Sequence, residues 1–494
     1  MVISMQDLQK LVKTKLEGYK FIVVSNREPY IHEYTSDGIR WYKPASGLAV
    51  ALDPVMKSSE GTWIAYAEGE ADAEAVDAQG RLAVPPDNPQ FTLKRVFMTK
   101  EEYNGYYYGF SNQAMWPLCH IVYVRPNFDT QNWDMYVRAN RKFADAILEE
   151  ISTSEKAFVW LQDYHLTLAA KMIKEKRPDV IVSLFWHIPW PNPEAFRICP
   201  YKKEILEGLL ANDLLGFHLR YHVENFMQTV DNTLETRIDR DRLIVHFQGH
   251  ETAVQSFPIS IDYEEVFAKV RTEEVKNESR LIRKKMASET EFIGVGVDRI
   301  DYTKGIPDKL RAIDRFFEKY PQYIKKFTFF QVGAPSRAHL RTYKSLTEDV
   351  SVLIEEINWK YSSGSWNPIV YIEKHQEFPD ILAHYKDADV CIVSSLHDGM
   401  NLVAKEFVAS QIEGDAGVLI LSQFTGAARE LTDALLINPF NIEEMADAIK
   451  LALEMPREEK ERRMKNLQAI VKENNIYRWA GNIIDSIAKQ KSQP

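Results

Sequence analysis

The chain has 494 residues, 45% hydrophobic and 27% charged, the balance of a soluble globular protein and too long for one ordinary core. Two domains of roughly 200–250 residues each are the natural division. A net charge of −10 argues against general nucleic-acid or anionic-membrane binding, while leaving room for an anionic small ligand held by a local Arg and Lys cluster.

From the N-terminus, "MVISMQDLQKLVKTKLEGYK" is amphipathic and mixed in charge, without the apolar core of a signal peptide. No apolar run reaches the length needed to cross a bilayer. Short β-branched and aromatic runs then alternate with helical patterns. "YKFIVVSN" (19–26), "AFVWLQD" (157–163), "VIVSLFWHIP" (180–189) and "NDLLGFH" (212–218) read as strands, with "YVRANRKFADAILEEI" and "LTLAAKMIKEK" as helices between them. In the second half "EFIGVGVDR", "FTFFQVGA", "IVYIEKH", "DVCIVSS" and "GVLILSQ" take the strand role. This order predicts an α/β chain with parallel sheets covered by helices, arranged as two doubly wound domains facing a central cleft. The boundary falls near "FPISIDYEEV" (257–266), giving domains over 1–258 and 259–475 and a C-terminal helix over 476–494 that packs back on the first. Cys119, Cys199 and Cys391 are far apart, with no CxxC spacing, and read as buried apolar residues of a reducing, cytoplasmic protein.

In parallel sheets ligands sit beyond the carboxyl ends of the strands. Arg27, Asp163, His187, Arg299, Arg337 and Asp398 each follow such a strand, so six polar residues stand at equivalent strand ends. In "DRIDYTKG" (298–305), Arg299 and Lys304 repel each other unless an acid or a bound diphosphate relieves them. A surface network of Arg299 with Asp298 or Asp301 is the bland alternative. The glycines of "GVGVDR", Gly294 and Gly296, lie inside a strand run and lack the third glycine of a dinucleotide fingerprint, so a nicotinamide site is rejected.

"HDGMNLVAKE" (397–406) sets backbone N–H groups at a helix start, a seat for phosphate or sugar hydroxyls. Asp398 suits sugar hydroxyls and Glu406 a ribose diol; an N-cap turn and an exposed helix carboxylate are the plainer readings. His187 before a proline-rich turn is structural or catalytic on this evidence alone. Tyr107 and Trp116 suit a sugar face or a core. Arg27 is harder to dismiss, because an unpaired buried Arg is costly. HExxH, a paired Cys/His set and a GxSxG elbow are all absent from the sequence, which leaves zinc hydrolysis and a serine nucleophile unsupported.

Taken together, "VVSNR", "SGLAVAL", "FSNQAMWPLCH", "WLQDYHL", "HIPWPNPE", "DLLGFH", "DRIDYTKGIP", "PSR", "DGMNLVAKEFV" and "LSQFTGAARELTDALLINP" resemble, in order, the trehalose-6-phosphate synthase family, from about residue 20 to about residue 480. The resemblance implies a retaining glycosyltransferase with two Rossmann-like domains, the GT-B fold. It would move glucose from UDP-glucose to glucose 6-phosphate, giving α,α-trehalose 6-phosphate and UDP. By the same resemblance Arg299 and Lys304 hold the donor diphosphate, and Gly47 lets backbone approach it. Asp398, with the N–H groups of Gly399, Met400, Asn401 and Leu402, holds the donor glucose. His187 touches that sugar and Glu406 takes the ribose. Arg27 and Arg337 clamp the acceptor phosphate with Tyr107 and Trp116, and Asp163 orients the acceptor. No metal and no organic cofactor are implied, and the partners are small molecules. A monomer and a homo-oligomer both fit.

Four departures bear on the acceptor. Ser46-Gly47 replaces the usual Gly-Gly of the mobile loop, and the loop "EPYIHEYTSDGIRWYKPA" before it is long and carries Trp41. Tyr66 stands where synthases commonly carry a Trp, and His397 where many have Arg. A glucosylglycerol-phosphate synthase-like transferase, with another phosphorylated acceptor, and a non-catalytic sugar-phosphate sensor therefore stay open at this point.

Overall fold

The computed structural model describes residues 4–44, 47–153, 155–337, 339–414 and 416–490. It divides into unit 1, Met1–Ile259 with Ile476–Pro494, and unit 2, Ser260–Asn475. Ser46 lies outside the described residues.

Unit 1 contains β1 (Lys20–Ser25), β2 (Ile31–Thr35), β3 (Gly38–Tyr42), β4 (Thr62–Tyr66), β5 (Arg81–Val84), β6 (Phe91–Val96), β7 (Ala157–Gln162), β8 (Ile181–Phe185), β9 (Leu214–Phe217), β10 (Arg237–Asp239), β11 (Ile244–Phe247) and β12 (His250–Ser256). Ten of them form one sheet in the order β10-β11-β12-β9-β8-β7-β1-β4-β6-β5. From β12 to β6 every pairing is parallel. β1 and β7 are buried almost throughout, which is why they appear in the sequence as unbroken apolar runs rather than alternating ones. From β1 the chain winds out to β4 and β6 on one side and returns to β7, β8, β9 and β12 on the other. The switch point therefore lies between β1 and β7. Helix Ile476–Gln490 belongs to this unit, where Trp479 packs 5.1 Å from both Trp160 and Phe185.

The long loop expected before Gly47 is instead an antiparallel hairpin, with β2 pairing β3 from Ile31↔Tyr42 to Thr35↔Gly38. Trp41 rests edge-on against the buried Tyr30 ring at 5.6 Å. The helix Gly47–Ser59 follows.

Unit 2 holds β13 (Phe292–Arg299), β14 (Phe327–Ala334), β15 (Ile369–Ile372), β16 (Val390–Val393), β17 (Val418–Ser422) and β18 (Leu435–Ile437). All six are parallel, in the order β15-β14-β13-β16-β17-β18. This is the Rossmann order, with its switch point between β13 and β16. The core is apolar and aromatic, built from Val390, Ile392 and Ile420 of the sheet and Phe316, Phe317, Phe327 and Phe329 around it. Gly294 and Gly296 serve packing inside β13. A Cβ at Gly294 would meet the Phe327 and Phe329 rings at 2.6 Å, and one at Gly296 would meet Lys309 Nζ at 2.6 Å. The α/β expectation holds in both units. Cys119, Cys199 and Cys391 are free and buried, and no helix among the described residues is long and apolar enough to cross a membrane.

Candidate active site

The sequence-selected residues gather at two places, one at each switch point. In unit 1, Arg27 leaves the end of β1. Its Nη2 donates to Tyr107 Oη at 3.2 Å, and Nη1 lies 3.7 Å from Glu68 Oε2. Its side chain is 36% exposed, and these two partners relieve the cost of its partial burial. Tyr107 and then Glu68 raise its pKa against the cost of burial, so the guanidinium is permanently charged. The aromatic rings beside it form a stack. Tyr66 lies on Tyr103 (4.0 Å, 10°), Tyr103 on Tyr107 (5.0 Å, 13°) and Tyr107 on His165 (5.6 Å, 18°). Tyr66, the residue standing in for a family Trp, thus ends a four-ring stack that begins at His165.

Glu28, next to Arg27, is buried with Arg95 and Asp72. Arg95 Nε lies 2.8 Å from Glu28 Oε2 and Arg95 Nη2 lies 2.7 Å from Asp72 Oδ1. Arg95 also donates to the carbonyls of Tyr30 and Asp72, and Glu28 Oε1 accepts from the N–H of Glu68. The backbone on both sides of Arg27 and Glu68 is therefore fixed from within.

Across the switch point, Asp163 follows β7 with φ 72° and ψ 175°, a region nearly confined to glycine that costs a residue with a Cβ about 1–3 kcal/mol. Its surroundings impose this conformation. The Asp163 N–H donates to the Phe185 carbonyl at 2.7 Å, and Oδ1 accepts from the N–H groups of Tyr164 (2.9 Å) and His187 (3.1 Å). His187 Nε2 lies 2.9 Å from Gln162 Oε1, an oxygen that only accepts, so Nε2 carries the proton. Burial, then His218 and His165, pull the His187 pKa well below the ordinary range, and the ring is neutral.

In unit 2 the turn Tyr302–Lys304 follows β13, and Lys304 Nζ lies 2.6 Å from Asp398 Oδ2 beyond β16. The same oxygen accepts from Ser395 Oγ at 3.3 Å and Asn401 Nδ2 at 3.2 Å. Asn401 is another residue with positive φ (93°), and its Oδ1 caps helix Leu402–Ser410 by accepting from the Ala404 N–H at 3.0 Å. Gly399, Met400 and Asn401 lead into that helix, and the first helical turn, from Leu402, directs N–H groups toward the same strand ends. Gly305 (φ 62°) begins the helix after Lys304, where a Cβ would strike the Ser394 carbonyl at 2.4 Å.

Arg299 is exposed. The two acids of the bland alternative are shared with other cations. Asp298 faces the buried Lys309 at 2.6 Å, and Asp301 accepts from Thr303 and Arg337. Burial would raise the Asp301 pKa, but Arg337, Arg299 and Lys304 hold it below the usual carboxylate range. Arg337 (φ 48°), a unit 2 residue, is held by Asp301 at 3.2 Å and by Tyr343. Glu406 is half-buried, and desolvation pushes its carboxyl up to about 7. Gly47 opens its helix in unit 1.

Sequence reasoning missed Glu68, Tyr103, His165 and Gln162 as parts of these groups. Each sits within a few positions of a residue it named, which is the one signal that pointed to them.

The sequence matches the family model for glycosyltransferase family 20 over residues 19–489. It is 36% identical over 477 residues to the trehalose-6-phosphate synthase of Mycolicibacterium smegmatis, covering 95% of this chain and 92% of that protein. The solved α,α-trehalose-phosphate synthase of Burkholderia xenovorans in complex with glucose-6-phosphate aligns with TM-score 0.85 and 28% identity, covering 95% of this chain and 99% of the other. The Escherichia coli trehalose-6-phosphate enzyme bound with UDP-2-fluoro glucose aligns with TM-score 0.85 and 29% identity over the same shares. With the family model spanning nearly the whole chain and both switch points carrying the residues described, the chain belongs to glycosyltransferase family 20.

Proposed function

We propose that this chain is a trehalose-6-phosphate synthase, moving glucose from UDP-glucose to glucose 6-phosphate with retention and forming α,α-trehalose 6-phosphate and UDP. The observation that carries the reading is a charged group at each switch point, Arg27 with Tyr107 in unit 1 and Lys304 with Asp398 in unit 2. Relatives with the same name, and solved neighbours holding glucose-6-phosphate or a UDP-fluoroglucose, supply the substrates.

In the reaction the bond from the sugar C1 to the diphosphate oxygen breaks and a bond from C1 to the acceptor hydroxyl oxygen forms. The acceptor proton passes to the departing phosphate oxygen. Negative charge grows on the diphosphate, so Arg299 and Lys304 stabilise the transition state more than the ground state. The neutral His187 offers polar contact without adding charge to a sugar that is itself becoming cationic. A covalent sugar–enzyme intermediate would need a carboxylate able to attack C1. Asp398 is engaged by Lys304, Ser395 and Asn401, and Asp301 by Thr303 and Arg337, which supports reaction on one face instead. We propose that the two cations of this site supply the charge neutralisation without a metal, and that the enzyme works in the cytoplasm, where free cysteines persist.

The test is UDP release from UDP-glucose with glucose 6-phosphate, glycerol 3-phosphate, fructose 6-phosphate or no acceptor, in excess EDTA. Fast release with glucose 6-phosphate supports the reading. Release only with glycerol 3-phosphate or fructose 6-phosphate overturns the acceptor, and no release overturns the activity.

A further inference from the structure

The segment Asn104–Met115, "NGYYYGFSNQAM", forms a π-helix of twelve residues, far longer than the single-turn bulges in which this geometry usually occurs. It carries Tyr107 and delivers Trp116, whose N–H closes the ladder on the Ser111 carbonyl five residues back. Tyr107 and Trp116 are nine residues apart. At 3.6 residues per turn nine residues make two and a half turns and place two side chains on opposite faces. The wider i→i+5 ladder has roughly 4.4 residues per turn, so nine residues make about two turns and share a face. The structure agrees with the second arithmetic. The Tyr107 ring stacks on His165 at 5.6 Å, and the Trp116 ring lies 6.0 Å from Tyr164, the preceding residue of the same short turn.

Side chains hold this register. Asn112 Nδ2 donates to the Tyr107 carbonyl at 2.7 Å, and Gln113 Nε2 to the Tyr108 carbonyl at 3.2 Å, each reaching five residues back. The other end of the Asn112 amide, Oδ1, accepts from Tyr164 Oη at 3.0 Å. Asn112 is 1% exposed, so both bonds are made out of water. Gly109 permits the wide helix to lie against helix Thr130–Glu150, since a Cβ there would meet the Asn132 amide at 2.4 Å.

We propose that Asn112 is a positioning residue that locks the π register, and that this register is what sets Tyr107 and Trp116 together on the acceptor side. The inference rests on the acceptor assignment made above. Asn112 ties the Tyr107 carbonyl to Tyr164, the neighbour of Asp163, so one amide sets two parts of the acceptor group relative to each other.

The experiment compares Asn112→Leu, which removes both bonds at similar volume, with Asn112→Asp, which keeps an acceptor for Tyr164 but cannot donate to the Tyr107 carbonyl. Both are measured for the KM of glucose 6-phosphate, the KM of UDP-glucose and acceptor-independent UDP release. The expected result is a roughly tenfold or larger rise in acceptor KM in both variants, with donor KM and acceptor-independent release within about twofold of the parent. An unchanged acceptor KM overturns the proposal, as does an equal loss against both substrates in step with a lowered Tm. If Asn112→Leu does not fold, Asn112→Asp decides by the same criteria. A parent enzyme indifferent to glucose 6-phosphate would instead defeat the acceptor assignment, a distinct failure visible before any variant is made.

Discussion

Lys304 Nζ lies 2.6 Å from Asp398 Oδ2, so a cation beyond β13 and a carboxylate beyond β16 meet at the switch point of the unit 2 sheet. The two side chains are only 15% and 16% exposed, which strengthens the pairing over that of a surface ion pair. Each fixes the other. A diphosphate seated at Lys304 is thereby placed beside the carboxylate that would hold the hydroxyls of its sugar.

Lys304→Ala and Arg299→Ala are each expected to lower kcat by about 10²–10³-fold at saturating donor, the usual cost of losing one group that stabilises charge in the transition state. The KM for glucose 6-phosphate should stay nearly constant. Steady-state kinetics with both substrates varied checks this, and an unchanged kcat with only a raised donor KM would remove the transition-state role.

Arg27→Ala should raise the acceptor KM by about 1.5–3 kcal/mol, roughly 10- to 150-fold, the worth of one charged hydrogen-bonded contact. Donor KM should not move. An acceptor KM equal to the parent's would take Arg27 out of the site.

Glu406 gives a pH signature. Its carboxyl is pushed up to about 7 by burial, and only the carboxylate has two oxygens free to accept from a ribose diol. UDP affinity should therefore rise as pH increases through about 7, and Glu406→Gln should flatten that rise. Calorimetric titration of UDP across this range is the measurement, and a profile identical in the variant would dissociate Glu406 from the ribose.

The legibility of the site follows the physics of each part. Buried parallel strands are written as apolar runs, so β1, β7, β8, β13, β14 and β16 and the polar residues at their ends stand out in the sequence. Two features escaped. The hairpin of β2 and β3 was visible in principle, since Asp37-Gly38 between alternating runs is a turn signal, but its second strand is mostly exposed and not written as a buried apolar run. The π-helix could not be read, because its apolar and aromatic positions fit no 3.6-residue stripe. Tyr107 and Trp116 accordingly entered as aromatics suiting a sugar face or a core, and their acceptor role came only through the family resemblance. Asp163 is a different case. The residue was selected by its place after β7, while its strained backbone depends on a bond to Phe185 from a neighbouring strand, which no local pattern encodes.

Stability should carry the mark of Glu28. Burial, then a hydrogen bond with Asp72, push its carboxyl from 4.5 in the unfolded chain up to about 9. A raised carboxyl contributes stability that is fully present below the unfolded pKa and lost as pH rises through the folded one. Thermal stability should thus fall between about pH 4.5 and 9, and Glu28→Gln should lessen the fall. Arg95→Met, which leaves Asp72 buried without its partner, should cost about 3–5 kcal/mol. Thermal and urea unfolding at several pH values test both, and a Glu28→Gln protein with an undiminished slope would contradict the assignment.

The central claim is the transfer itself, and proton NMR of the product from UDP-glucose and glucose 6-phosphate in EDTA tests it most directly. The account predicts a single disaccharide phosphate with both anomeric linkages α. A β linkage, or release of UDP with free glucose as the only sugar product, would contradict it.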